Sequence, residues 1–113
     1  FIKKENVSLV ALAGFMRVLS KKLIKRIKIP IINIHPSLLP KYKGLNTHQR
    51  ALNNKEKYSG CTVHYVNEHL DSGKVIMQKK VKILQSDNEK SLEKKILKQE
   101  HTVYPRVIDG LLN

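Results

Sequence analysis

Asn33 and His35 interrupt the apolar run Ile31-Ile32-Asn33-Ile34-His35, directly before Pro36. In an extended segment, side chains two positions apart point to the same face. An imidazole suits proton transfer near neutral pH. An amide N–H beside it can stabilise an oxyanion. Asp71, in the turn-forming stretch His69-Leu70-Asp71-Ser72-Gly73-Lys74, adds a carboxylate. Placed beside His35, it would favour the protonated ring and raise its pKa. No Ser or Cys is set beside this trio as a nucleophile. The chemistry expected is direct transfer between two bound substrates, without a covalent enzyme intermediate. The same residues also have structural uses: a strand-end His is commonly a hydrogen-bonding residue, Asn33 can cap a loop, and Asp71 can form an Asx-turn. The residue types alone reach as far as a polar site on the rim of a sheet.

The elements around them indicate which rim. Val7–Ala13 is short and apolar, ends at Gly14, and reads as a buried strand. Ser20 can cap a helix through Lys21–Ile29, with Leu23, Ile24 and Ile27 on one face, ended by Pro30. Ile31–His35 is then a second strand, and the βαβ order makes the two parallel. Ligands of open α/β sheets sit beyond the carboxyl ends of such strands. Gly14 and Asn33–His35 lie at those ends, with Met16, Arg17, Val18 and Leu19 just after the first. Residues 36–46 read as a loop, and Thr47–Asn53 as a short helix. Gly60–Asn67 alternates, with Cys61, Val63 and Tyr65 on one face and Thr62, His64 and Val66 on the other. Lys74–Leu84 pairs with it as a hairpin. Ser86-Asp87-Asn88-Glu89 is a capping-box pattern. It opens a helix with Leu92, Ile96 and Leu97 inward and Val103 further along, which Pro105 kinks or ends. The class is α/β. Two parallel strands and a hairpin make a narrow sheet with an open edge, so further strands are expected before Phe1.

Composition narrows the partners. The 113 residues fit one domain. Lys and Arg number 22 against 9 acidic residues, a net charge of +13, which suits an anionic partner. An A/T-rich coding sequence produces the same lysine excess. The basic residues are spread along the chain, and four Tyr with two Phe are too scattered to stack bases, which argues against nucleic acid. The lone Cys61 excludes an internal disulfide and fits a reducing cytoplasm. Neither cysteine pairs nor histidine spacing suggests a metal. No apolar run approaches the roughly 18–20 residues of a membrane span. The short apolar stretch Val7–Gly14 is not read as a signal peptide, because patterned sequence continues past it. The chain does not begin with Met, and a fragment or truncated product is expected.

Longer stretches carry a family resemblance. "LAGFMRVLS", "NIHPSLLPKYKGLNTHQRAL", "GCTVHYVNEHLDSGKVIMQ" and "KQEHTVYPRVI" follow one another in an order that resembles folate-dependent phosphoribosylglycinamide formyltransferases. Pro36 and the Gly44–His48 segment separate the chain from the similar methionyl-tRNA formyltransferases and formyltetrahydrofolate deformylases. The resemblance implies a three-layer Rossmann-like formyltransferase fold with a mixed sheet. Residues 1–113 would be the C-terminal portion of that single domain, with the N-terminal half missing. It implies formyl transfer from 10-formyltetrahydrofolate to the amine of glycinamide ribonucleotide, without a metal. Asn33, His35 and Asp71 would be catalytic, with a protonated His35. Met16, Arg17, Val18, Leu19, Asn33, Asn67, Glu68, His69, Leu70 and Asp71 would bind the folate. Leu97, Lys98, Gln99 and Glu100 would contact the ribonucleotide, with Glu100 as the ribose partner. The loop that holds the substrate phosphate at a helix N-terminus would lie in the absent half. This chain alone is therefore expected to be weakly stable and nearly inactive unless a separate N-terminal piece completes it. Other readings stay open: another folate-dependent formyltransferase or hydrolase, a basic nucleic-acid-binding module, or a non-catalytic remnant.

Overall fold

A computed structural model of the chain describes residues 9–13, 26 and 29–112. The helix expected over residues 21–29 lies outside them apart from Arg26 and Ile29. So do Val7 and Ser8 of the first expected strand, and Met16–Leu19.

Four strands form one sheet in the order β1 (Val10–Ala13), β2 (Ile31–His35), β3 (Tyr58–Tyr65) and β4 (Val75–Lys82). β1 and β2 are parallel, with Val10 opposite Ile31 and Ala13 opposite Ile34. β2 and β3 are antiparallel, as are β3 and β4. The sheet is therefore mixed, as expected. Every residue of β2 is buried, which its near-continuous apolar sequence requires of a central strand. β4 is the outer strand, with Val75, Met77 and all three of its lysines exposed.

Two helices complete the described structure. α1 (Thr47–Asn53) matches the expected range. α2 (Glu89–Leu112) carries Leu92, Ile96, Val103 and Val107 on one buried stripe. That stripe packs on Ile32, Ile34, Cys61 and Val63, the inward-facing residues of β2 and β3. Leu97, expected inward, is instead 44% exposed, because one residue past Ile96 rotates it about 100° off the stripe. Pro105 does not end the helix, which continues to Leu112. Val103 and Val107 are buried on either side of it, and their packing outweighs the lost backbone bond. The cap sits two residues later than expected. The Ser91 N–H donates to Asn88 Oδ1, and the Asn88 N–H donates to Ser91 Oγ, both at 2.9 Å. This is a reciprocal cap built by Asn and Ser.

The β3–β4 connection closes tightly. The Tyr65 N–H donates to the Lys74 carbonyl at 2.9 Å. Gly73 lies so close to β3 that a Cβ there would stand 1.7 Å from the Tyr65 carbonyl oxygen. No residue with a side chain allows that approach.

Candidate active site

With Ile32 and Ile34 turned into the core, strand alternation sends Asn33 and His35 to the opposite face of β2. In register, Asn33 stands across from His64 and His35 from Thr62. Exposure is 2% or less for all four. The turn after β3 brings Asp71 onto this group, only 5% exposed. Asp71 Oδ2 lies 3.5 Å from His35 Nδ1, and Oδ1 lies 3.7 Å from His64 Nε2. The structure thus brings together Asn33, His35 and Asp71, and adds His64.

Each imidazole spends its other nitrogen on the backbone. His35 Nε2 lies 2.8 Å from the Tyr42 carbonyl and His64 Nδ1 lies 2.9 Å from the Tyr65 carbonyl. A carbonyl only accepts, so both of these nitrogens carry hydrogens. The nitrogens facing Asp71, His35 Nδ1 and His64 Nε2, are buried without a hydrogen bond. They are the positions left for a proton. Asp71 itself is in the left-handed region, at φ 50°. Asp tolerates that conformation better than most residues, and such strain is common where a side chain must be aimed. Its Oδ2 accepts the Gly44 N–H at 2.8 Å, tying the turn to the 36–46 loop. The Asx-turn is made by Asn67, whose Oδ1 accepts the His69 N–H at 2.9 Å.

The protonation expected for His35 needs correction. Burial lowers its pKa below the ordinary value, and His64 and Arg50 push the same way. The Tyr42 carbonyl and Asp71 oppose this shift without reversing it. Asp71 acts in the expected direction, but water removed from a fully enclosed ring outweighs it. The enclosed site thus favours the neutral ring.

The sequence pattern places His64 only on a strand face with Thr62 and Val66, without a part in the chemistry. Two signals point to it: it shares the parity of Thr62 in β3, and its strand turns directly into the segment carrying Asp71. His48, on α1, is half-buried with Nδ1 unpartnered. Its pKa is also lowered by burial, against the pull of Glu93 and Glu89.

The remaining expected residues fall into three groups. Asn67, His69 and Leu70 line a cavity of about 10 Å³ shared with Asn33, His64 and Asp71, enough for about one water. Glu68 pairs with His69 at the surface, 3.8 Å apart. Met16–Leu19, the other expected wall of the folate pocket, lie outside the described residues. Leu97–Glu100 are on α2, which packs against the opposite face of the sheet, so they do not join the His35–Asp71 cluster. Leu97 and Lys98 are exposed. Glu100 is half-buried, and burial pushes its carboxyl up to about 6. A larger cleft of about 600 Å³, between the 38–42 loop and residues 55–59, holds none of the acid–base side chains. Among the described residues, no group of three or more His, Cys, Asp or Glu is placed to hold a metal ion. No helix there is long and apolar enough to cross a membrane.

Comparison with known proteins identifies the family. A family model described as "Formyl transferase" matches residues 1–108. The chain is 48% identical over 99 residues to the phosphoribosylglycinamide formyltransferase of Escherichia coli, covering 88% of this chain and 47% of that protein. It is 49% identical over 112 residues to the Drosophila melanogaster trifunctional purine biosynthetic protein adenosine-3, covering 99% of this chain and 8% of that protein. The crystal structure of phosphoribosylglycinamide formyltransferase from Bacillus halodurans superposes with a TM-score of 0.90 at 39% identity, over 95% of this chain and 55% of that one. The chain spans about half the length of the single-function bacterial relatives it matches. It belongs to the formyl transferase family, and within it resembles the phosphoribosylglycinamide formyltransferases in sequence and in fold.

Proposed function

We propose that the protein containing this chain transfers a formyl group from 10-formyltetrahydrofolate to the amine of glycinamide ribonucleotide, with Asn33, His35 and Asp71 as the reacting side chains. The observation that carries this reading is the buried trio itself. One carboxylate is bracketed by two tautomer-locked imidazoles, with Asn33 on the same face. No covalent intermediate is invoked, because the trio offers a base, an acid and an oxyanion donor.

The amine nitrogen attacks the formyl carbon, and the carbonyl oxygen takes the electron pair. The Asn33 amide donates to that oxyanion. Neutral His35 accepts the amine proton at Nδ1, and the Asp71 carboxylate favours the imidazolium as it forms. The oxyanion then collapses, the bond from carbon to N10 of the folate breaks, and His35 returns the proton to N10. The products are the formylated amine and tetrahydrofolate. Atoms and charge balance without a metal or oxidant.

Met16–Leu19 and Asn67–Asp71 are read as the folate contacts, and Leu97–Glu100 as ribonucleotide contacts, on the strength of family resemblance. The phosphate anchor is assigned to the part of the relatives that this chain does not span. A reducing cytoplasm fits the single buried free cysteine, Cys61.

The test is formyl transfer to glycinamide ribonucleotide, measured on the protein as its gene encodes it. Asn33→Ala should lose roughly 10²–10³ in kcat, as for an oxyanion donor. His35→Ala should lose roughly 10²–10⁴. Wild-type protein that leaves glycinamide ribonucleotide unformylated, or a His35→Ala variant with full activity, sinks the proposal. Formate released without an acceptor would point to hydrolysis.

A further inference from the structure

The loop after β2 does more than carry the chain out of the sheet. Thr62 is fully buried directly across from His35. Its hydroxyl donates to the Ser37 carbonyl at 2.7 Å and accepts the Leu39 N–H at 3.1 Å. Gln78 on β4 donates from Nε2 to Thr62 Oγ1 at 3.0 Å and to the Leu39 carbonyl at 2.7 Å. One hydroxyl and one amide thus clamp both ends of Ser37–Leu39. Ser37, also fully buried, then reaches forward. Its single hydroxyl hydrogen points mainly at the Lys41 carbonyl, 2.7 Å away, and is shared with the Tyr42 carbonyl at 3.2 Å. That same Tyr42 carbonyl accepts from His35 Nε2. An unbroken hydrogen-bonded path runs from the outer strand through the loop to the ring.

We infer that Thr62, Gln78 and Ser37 are positioning residues. They hold the Tyr42 carbonyl against His35 Nε2, so that Nδ1, the nitrogen facing Asp71, is the one that exchanges protons. The inference rests on the acid–base role proposed for His35. The physics is tautomer selection. A neutral imidazole has one N–H, and the partner of one nitrogen decides the state of the other. A carbonyl at 2.8 Å from Nε2 locks the hydrogen there. If the carbonyl drifts, the hydrogen can move to Nδ1 and bond Asp71. The ring then presents its lone pair away from the carboxylate that would stabilise its cation. Buried polar groups in such networks are costly to leave unpaired, so a loop held by fewer bonds relaxes to satisfy them elsewhere.

Long-range ¹H–¹⁵N spectra of histidine-labelled protein, as its gene encodes it, read the tautomer without reference to activity. Wild type should show His35 as the Nε2–H form alone above its titration. Ser37→Ala and Gln78→Glu should show both tautomers. They should lose about tenfold in kcat with KM for both substrates within twofold, and the acid limb of the pH profile should move. Thr62→Ser and Ser37→Thr keep the hydroxyl and should keep the wild-type tautomer and profile. Gln78 is exposed, so Gln78→Glu decides the matter if a variant at a buried position does not fold. A folded Gln78→Glu or Ser37→Ala protein with the wild-type tautomer and pH profile overturns the inference. If His35→Ala keeps full activity, the reaction reading fails instead, and the tautomer result still reports on the network.

Discussion

Replacing Gly73 with alanine tests how the hairpin positions the acid–base group. The added Cβ would stand 1.7 Å from the Tyr65 carbonyl oxygen, whereas real Cβ contacts essentially never fall below 3.0 Å. Backbone must therefore move by about 1.3 Å, since the obstruction is not a flexible side-chain end. That carbonyl is the one His64 Nδ1 donates to, and Gly73 lies two residues after Asp71. Displacement therefore reaches the carboxylate and one of its two histidines together. Overpacking of this kind costs about 1–3 kcal/mol, and each kcal/mol moves Tm by about 4–8 °C for a domain near this size. A misplacement of about 1 Å in reacting groups can cost roughly 10²-fold in rate. The assay is thermal melting together with formyl transfer. Gly110→Ala serves as control, because its Cβ would meet nothing within 4 Å and alanine favours a helix by about 0.5–1 kcal/mol. A Gly73→Ala protein that melts within 2 °C of wild type (a loss of about a quarter to half a kcal/mol) and keeps full activity would refute the argument.

Two further substitutions probe α2. Glu100→Gln should raise Tm at pH 7.5, and the gain should vanish as pH falls to 4.5. The folded carboxyl titrates at about 6, above its unfolded value near 4.5, so the penalty on the charged form grows between those pH values and is full above them. A gain that persists at pH 4.5, or none at pH 7.5, contradicts this. Asn88→Ala removes the acceptor of the Ser91 N–H and should cost about 1 kcal/mol in denaturant unfolding. An unchanged midpoint would show that the reciprocal cap contributes nothing.

Much of this architecture is legible from pattern. Ile31–His35 reads as a buried strand because nothing polar interrupts it except the two residues that face the site. α1 has the bounds its sequence suggests. The misses share one cause, tertiary context overriding a local rule. Pro105 should break a helix, but Val103 and Val107 are buried around it. The capping signal at Ser86–Glu89 gives way to the pair Asn88–Ser91, with Asp87 drawn off to the Leu84 N–H and to Lys95. At the site, Asn33 and His35 announce themselves by being polar in an apolar strand. His64 does not, because β3 alternates and a polar residue there looks like an outward one. Its burial depends on the turn after β3 folding back to set Asp71 against it, which strand periodicity does not encode. The protonation of His35 is not legible for the same reason. A carboxylate neighbour can be guessed from sequence, while the enclosure that outweighs it is a property of the packed whole.

Asn33, His35, Ser37, Tyr42, Gly44, Thr62, His64, Asp71 and Gln78 all fall within one continuous stretch beginning at β2. The proposed acid–base set and the bonds inferred to orient it are thus contiguous in the sequence, from Asn33 to Gln78. A chain divided ahead of Ile31 would leave that stretch whole on one piece, and a divided enzyme would then depend on association for substrate binding rather than for assembling its reacting groups. The stretch could serve as one half of a split reporter, or as a cassette for grafting onto another parallel strand.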